Sequence, residues 1–148
     1  MKKTILSTTI LTALAAMAIA TQAPRKGDAH EAEFRAFYAN FLNAVRANEK
    51  EKIADMIAFP VQDMDWYVMT RGRDDAVSIK DKTEFLKKYD TFFTAKTRLR
   101  VLKAKTLALE AGRYAAFWDE GETRFTFLFE YIDGTGYRVE SFTTGARR

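Results

Sequence analysis

The side chains that enzymes most often use as nucleophiles, bases and metal ligands are scarce in this sequence. The 148 residues include one histidine, His30, and no cysteine. A single imidazole cannot supply a Ser-His-Asp triad or the several histidines of a typical catalytic zinc site, and thiol chemistry is excluded. The seven glycines are scattered singly, so the sequence has no glycine-rich phosphate loop. We therefore expect no metal and no bound cofactor.

A run of cations stands out in the second half of the chain. Five basic residues occur there with no acid among them: Lys96, Arg98, Arg100, Lys103 and Lys105. On a strand, alternation would place Arg98 and Arg100 on one face, where they could meet phosphates, an anionic glycan or an acidic partner. We favour the alternative of a solvated sheet face that is balanced by acids on neighbouring strands, such as Glu130 and Glu140.

The first 20 residues have the composition of a signal peptide. Two lysines follow Met1, residues 5–23 are uncharged, and Ala18-Ile19-Ala20 gives the small-x-small pattern that signal peptidase cleaves. We expect cleavage after Ala20 and a periplasmic or secreted protein, rather than cleavage after Ala23 or a retained anchor. Contact with a membrane is then expected only during export. The mature 128 residues would carry a net charge of +2, too low to predict nucleic-acid binding.

The helices that must position any site follow from hydrophobic periodicity. Residues 21–30 show no period and predict a flexible leader. A helix is predicted over residues 31–48, a shorter one over residues 49–57 and a third over residues 81–93. The first has apolar residues at the spacing that buries one stripe of a helix: Phe34, Phe37, Tyr38, Phe41, Leu42 and Val45.

The rest of the chain predicts strands. One lies over residues 61–70, and after residue 94 the hydrophobic period changes to two. Turns containing glycine then delimit four further strands, over residues 97–109, 113–119, 123–132 and 137–143. In the third of these, one face carries Phe125, Phe127, Phe129 and Tyr131. Short turns indicate antiparallel pairing, and helices concentrated in the first half indicate an α+β fold.

Several of these patterns carry a resemblance to a known superfamily. They are Phe34-x-x-Phe-Tyr-x-x-Phe-Leu, the break at Ala47-Asn48-Glu49-Lys50, the second helix from Ile53 to Ile57, Phe85-Leu-Lys-Lys-Tyr, and the final pair of long strands. Together they resemble the cone-shaped fold of the nuclear transport factor two-like superfamily, which includes ketosteroid isomerase-like, SnoaL-like and scytalone dehydratase proteins. The resemblance implies one domain over residues 31–145, with three helices in its N-terminal half packed on a strongly curved antiparallel sheet.

The resemblance also implies an apolar cavity at the wide end of the cone. Isomerase-like members use a strand carboxylate as base, and a tyrosine with a neutral carboxylic acid to hold an enolate. Aligning the second helices places Asp65 near the base and Phe41 at the donor position, with Tyr38 one turn earlier on the same face. The expected lining of the cavity is Tyr38, Trp66, Arg100, Trp118 and Phe142.

Three hypotheses about function follow. The first is an exported domain that binds a small hydrophobic or amphipathic ligand in the apolar cavity, or a partner on the exposed sheet face, because no complete catalytic set is visible. The second is an isomerase or dehydratase that uses Asp65 as base together with Tyr38. The third is an assembly module whose sheet supports a homodimer.

Overall fold

The computed structural model describes residues 26–63 and 78–143. The predicted signal peptide with its cleavage after Ala20 lies outside these ranges, as do the candidate site residues Asp65 and Trp66. Over the described ranges, helices pack on a six-stranded sheet, which is an α+β arrangement. None of the helices in these two ranges has the length and apolarity that a membrane crossing requires.

The longest helix, α1, extends over Lys26–Ala47. In its predicted apolar stripe, Phe34, Phe41 and Val45 are buried, whereas the other three residues are half-buried. The helix begins five residues before the expected start, so it includes part of the segment that the sequence assigned to a leader. It ends before Asn48, whose φ of 56° is a left-handed conformation that asparagine adopts more readily than most residues. The Asn48 side-chain oxygen accepts a 2.9 Å hydrogen bond from the Tyr89 hydroxyl, which joins this turn to a later helix.

Two of the predicted helices are present with nearly the expected bounds. Helix α2 covers Lys50–Asp55 and α3 covers Lys82–Phe92. Two hydrogen bonds hold the start of α3. The Asp81 carboxylate accepts from the Glu84 amide, and the Glu84 carboxylate accepts from the Lys80 amide, both at 2.8 Å. The hydrogen bond from the Lys80 amide also lowers the pKa of Glu84.

The strand predicted over residues 97–109 is wrong in its first half. Ala95–Val101 forms a helix, α4, and only Lys105–Ala108 forms a strand, β3. The helix starts where the Thr94 hydroxyl accepts a hydrogen bond from the Thr97 amide at 3.1 Å. Thr97 and Val101, four residues apart, are then buried on one side of the helix. The alternation of basic and apolar residues concealed this spacing.

The remaining strands complete an open sheet. They are β1 (Ile57–Asp63), β2 (Ser78–Ile79), β4 (Tyr114–Glu120), β5 (Thr123–Ile132) and β6 (Gly136–Thr143). Their spatial order is β2-β1-β6-β5-β4-β3, which leaves β2 and β3 at the edges. All pairs are antiparallel except β1 and β6, which run parallel. The purely antiparallel sheet is therefore a wrong prediction, because turn lengths constrain only consecutive strands and most of the domain separates β1 from β6.

Aromatic side chains fill the space between the helices and the sheet. The predicted alternation along β5 is confirmed, since Phe125, Phe127 and Phe129 are buried whereas Arg124 and Glu130 on the opposite face are exposed. Rings from α1 meet rings from β4, β5 and β6 in one continuous set of contacts, here called the aromatic layer. Its members are Phe34, Tyr38, Phe41, Tyr114, Trp118, Phe125, Phe127, Phe129, Tyr137 and Phe142.

Candidate ligand-binding site

Tyr38 is held in the aromatic layer by its position on α1. Its ring stacks on Phe34 with centroids 5.5 Å apart and on Phe41 at 6.3 Å, and it meets Phe129 of β5 edge to face at 5.6 Å. Phe34 is one helical turn before Tyr38 and Phe41 almost one turn after it, so the same stripe carries all three rings. The ring is half-buried, and apolar rings restrict it on three sides.

The hydroxyl of Tyr38 is the unusual feature of this layer. The oxygen is shielded from solvent and has no hydrogen-bond partner among the described residues. Buried hydroxyls nearly always find a partner, and leaving one without a partner costs about 1–3 kcal/mol. Burial raises the pKa of Tyr38 to about 12, so the group stays neutral and keeps its proton available for donation near neutral pH.

A second tyrosine of the layer shows the usual arrangement. The Tyr137 hydroxyl donates to the backbone carbonyl of Gly112 at 2.8 Å. Burial is the main cause that raises the pKa of Tyr137, also to about 12. Tyr38 and Tyr137 thus share a neutral, buried hydroxyl but differ in whether the protein supplies an acceptor.

Two more of the predicted lining residues lie in the same layer. Phe142 is only 1% exposed, and its ring contacts Phe127 at 5.6 Å. Trp118 is half-buried and stacks 6.2 Å from the same Phe127 ring. Because Phe127 also lies 5.8 Å from Phe41, a chain of ring contacts connects both residues to Tyr38. Phe142 is a core residue in this arrangement, whereas Trp118 retains an exposed edge.

Arg100 does not belong with the other predicted lining residues. It lies on α4, where its Nε is 3.1 Å from the Glu120 carboxylate, and Lys96 is 2.8 Å from the same group. The expectation that Arg98 and Arg100 share a sheet face is also wrong, because residues two apart on a helix point in different directions. Arg98 instead donates to the Phe93 carbonyl at 2.7 Å.

The acids expected to balance the basic run also lie elsewhere. Glu120 provides the observed ion pairs, and the hydrogen bond from Lys96 lowers its pKa. Glu140 pairs with Arg113 at 2.7 Å, on a different part of the sheet. The balancing therefore comes from the end of β4 rather than from the two acids that the sequence suggested.

His30 is a polar residue of this region that sequence reasoning undervalued. It is the last residue of the segment predicted to be a flexible leader, but its ring meets the Tyr131 ring at 4.5 Å, and its Nδ1 is buried without a hydrogen-bond partner in the described ranges. Glu33 is 3.8 Å away, beyond hydrogen-bond distance. The signal was available, because His30 stands four residues before Phe34 and extends the same helical stripe by one turn.

A surface depression of about 510 Å³ lies outside the aromatic layer, between α2 and α3. It is lined by Glu49, Lys50, Glu51, Lys52 and Leu86. Its ammonium groups are paired: Lys50 with Asp90 and Lys52 with Glu49, both at 2.8 Å. Among the described side chains that line this depression, none is a buried polar group without a partner. Within the parts of the chain that the structure describes, no group of three or more acidic or histidine side chains is arranged to hold a metal ion.

The comparisons with known proteins add no family. No protein-family model, no curated protein and no solved structure matches this chain. The candidate site consists of one polar group, the Tyr38 hydroxyl, and one apolar surface, the aromatic layer.

Replacing each of the two tyrosines with phenylalanine should change stability in opposite directions. Tyr38→Phe removes a buried hydroxyl that has no partner in the described structure, so we expect the free energy of unfolding to rise by about 1 kcal/mol. Tyr137→Phe removes the hydrogen bond to Gly112 and leaves its carbonyl without that donor, so we expect a loss of about 1 kcal/mol. Urea unfolding followed by circular dichroism measures both. Equal losses in the two variants would show that Tyr38 has an acceptor in solution.

The raised tyrosine pKa values also predict instability at high pH. An unfolded tyrosine loses its proton near pH 10, whereas Tyr38 and Tyr137 keep theirs to about pH 12 in the folded chain. The stability that depends on the neutral hydroxyls is therefore complete below pH 10 and is lost as the pH rises towards 12. Between pH 9 and 12, we expect each phenylalanine variant to lose less stability than the wild type. Parallel curves for all three proteins would contradict this.

Proposed function

We propose that the protein is an exported binding domain of the nuclear transport factor two-like cone architecture. It holds a small hydrophobic or amphipathic ligand against the aromatic layer, with the Tyr38 hydroxyl as hydrogen-bond donor. Support for the architecture comes from the order of the elements and from helices that pack on one face of an open sheet. Support for export comes from the basic start and the uncharged stretch that ends near Ala20.

The observation that carries the ligand proposal is the unpartnered hydroxyl of Tyr38. Small-molecule sites combine a mostly apolar wall with a few well-placed polar groups. The aromatic layer is such a wall, and a neutral hydroxyl of raised pKa calls for a ligand atom that accepts a hydrogen bond. Because the oxygen is shielded from solvent, neighbouring side chains must rearrange when a ligand enters. Binding should therefore change the near-ultraviolet circular dichroism of the aromatic rings.

The same hydroxyl would also serve the catalytic hypothesis, in which Asp65 is the base of an isomerase or dehydratase. Such a reaction needs a base and a donor at neighbouring atoms of one substrate. Among the residues whose positions are described, no carboxylate lies within hydrogen-bond distance of the Tyr38 oxygen. We therefore place binding first and use the Asp65 side chain to separate the two functions.

Protein recovered from its own exported compartment should carry a bound compound. Native mass spectrometry should show extra mass on the wild type, and denaturation should release it. We expect Tyr38→Phe to bind that compound about ten-fold more weakly, the effect of losing one hydrogen bond. Tyr137→Phe, whose hydroxyl is already bonded inside the protein, is the matched control and should keep its affinity.

Two outcomes would contradict the binding proposal. One is repeated recovery of empty wild-type protein with no thermal shift across a panel of lipids and metabolites. The other is turnover of the bound compound by the wild type but not by Asp65→Asn, which would establish the catalytic function. Unchanged binding by Asp65→Asn without turnover would support a binding domain.

The sheet face opposite the helices favours self-association as a second function. Leu107 on β3, Ala115 on β4 and Leu128 on β5 stand in register across three strands, with Leu107 52% exposed and Leu128 half-buried. The ion pair between Asp119 and Arg124 lies further along the same face of β4 and β5. An apolar strip beside charges of both signs can match a second copy of itself, as a two-fold interface requires.

Light scattering during size-exclusion chromatography tests this second function. We expect a dimer at high protein concentration and a monomer for Leu128→Glu, which places a charge within the strip. Leu99→Glu is the matched control, because Leu99 is 61% exposed on α4 rather than on the sheet. A monomeric wild type would exclude the dimer. If Leu99→Glu were also monomeric, the loss of the dimer could not be assigned to the apolar strip.

A further inference from the structure

We propose that the free edge of β3 binds an extended acidic segment of a partner protein, which adds to the sheet as a seventh strand. The recognised pattern is an apolar residue, any residue, then an acidic residue, running antiparallel to β3. This inference concerns a surface apart from Tyr38 and does not depend on the ligand proposed above. It rests on the exposure, the hydrogen-bonding pattern and the charge of the segment from Lys103 to Leu109.

The first observation is that, among the described residues, β3 has a single neighbouring strand. The strand pairs with β4 through Lys105↔Phe117 to Ala108↔Tyr114, and no other described strand lies against its far edge. All four of its side chains are exposed, so no helix or loop of the described ranges buries either face. An edge strand of this kind is a template for pairing with another chain.

The backbone groups available on this edge follow from one hydrogen bond. The Leu109 amide donates to the Arg113 carbonyl on the β4 side at 2.8 Å. In an antiparallel strand, successive residues direct their amide and carbonyl groups to opposite edges. Lys105 and Leu107, which are four and two residues from Leu109, therefore also direct their backbone groups towards β4. Thr106 and Ala108 therefore present two amides and two carbonyls at the open edge, which is enough to pair with a short extended segment.

The side chains define what such a segment should contain. Lys105, Leu107 and Leu109 project on the same face, because they are two residues apart in extended backbone. Leu107 is 52% exposed and Leu109 is 38% exposed. An added strand places its own side chains beside these three, in non-hydrogen-bonded pairs, where side chains approach most closely. Apolar residues suit the positions beside the two leucines.

Charge selects an acidic residue for the position beside Lys105. Neither Lys103 nor Lys105 forms an ion pair with any residue of the described chain. The nearby Asp119 is already bound by Arg124 at 2.8 Å, and that hydrogen bond lowers its pKa. On α4, Lys96 and Arg100 share the single carboxylate of Glu120. The charge of Lys105 also lowers the pKa of Asp119, so this one carboxylate is shared between Arg124 and Lys105. The end of β3 therefore keeps an excess of positive charge, which a further carboxylate would complement.

A second copy of this chain fits the same edge less well. If two copies paired antiparallel with their Leu107 residues opposite each other, Lys105 of one copy would face Leu109 of the other. No carboxylate would then lie beside either lysine. An acidic segment satisfies the backbone, the leucines and the lysines together, so it is the partner that we infer.

Fluorescence anisotropy with a labelled peptide tests the inference on the full mature chain. The probe is Ile-Thr-Ile-Thr-Glu-Thr-Glu, which places isoleucines beside Leu109 and Leu107 and a glutamate beside Lys105. Its last glutamate extends past the start of β3, towards the turn that contains Lys103. We expect saturable binding that weakens as salt rises, and weaker binding of the same peptide with lysine in place of glutamate. Lys105→Glu should weaken binding of the acidic peptide by about five-fold and improve binding of the lysine peptide.

Thr106→Pro examines the backbone directly. It removes an amide that faces the open edge and leaves the ladder to β4 intact, a position that edge strands tolerate. We expect at least about ten-fold weaker binding for Thr106→Pro, whereas Thr106→Val, which keeps the amide, should bind like the wild type. Lys87→Glu is the control for Lys105→Glu, because it makes the same charge change at an exposed position of α3, away from β3.

Four results would overturn the inference. They are absence of binding at millimolar peptide, equal binding of the lysine peptide, unchanged binding by both Thr106→Pro and Lys105→Glu, or a homodimer that Thr106→Pro dissociates. The last would assign the edge to a second copy of this chain. Loss of folding in Thr106→Pro, seen by circular dichroism, leaves the charge exchange at Lys105 as the deciding measurement.

Discussion

The packing of α1 against β5 is the interaction on which the rest of the described structure depends. Phe41 of the helix touches Phe127 and Phe129 of the strand with ring centroids 5.8 and 5.7 Å apart, and all three rings are fully buried. Each such ring removes about 150–250 Å² from water. The sequence has no cysteine, so this burial acts without disulfide support. β5 also lies between β4 and β6, so a ring lost from it would disturb two neighbouring strand pairs.

The two ends of the aromatic layer differ in polarity, and this difference explains why the candidate site lies where it does. Around Phe127, three of the neighbouring rings are phenylalanines without a polar atom, namely Phe41, Phe93 and Phe142, and the fourth, Trp118, hydrogen-bonds Glu120. Around Phe34, three of the four neighbouring rings are tyrosines, each of which brings a hydroxyl to the edge of the core, and the fourth is Phe129. Tyr137 reaches a backbone carbonyl at the start of β4. Tyr38 lies further along α1, among rings only, so its hydroxyl reaches no acceptor in the described structure.

The sequence predicted those parts of the fold in which burial alone decides the conformation. The bounds of β5 were correct because Phe125, Phe127 and Phe129 alternate with polar residues and turns stand at both ends. Residues 97–109 misled because Arg98, Leu99 and Arg100 fit a strand by alternation, whereas the cap at Thr94 and the buried pair four residues apart favour a helix. The parallel pairing of β1 with β6 depends on contacts between distant segments, which no local pattern encodes.

The candidate site was less predictable than the fold, for a related reason. The apolar stripe of the first helix predicts that Tyr38 faces the core. It cannot reveal whether the hydroxyl has an acceptor, because this depends on rings that β5 contributes. Arg100 was selected for its charge and lies instead beside Glu120, a pairing set by how α4 packs near the end of β4. Apolar periodicity therefore locates walls well, whereas the partners of polar atoms are decided by tertiary contacts.

The two edges of the sheet follow from how far the helices cover it. β2 has only two residues, and its Ile79 is fully buried, so little of this edge is open. β3 extends beyond the helical layer, and all four of its side chains remain in water. Lysine on an exposed edge opposes pairing between identical chains, because a second copy brings no carboxylate beside it. The same lysine lowers the free energy of pairing with an acidic strand, so one residue on β3 both limits self-association and selects the partner.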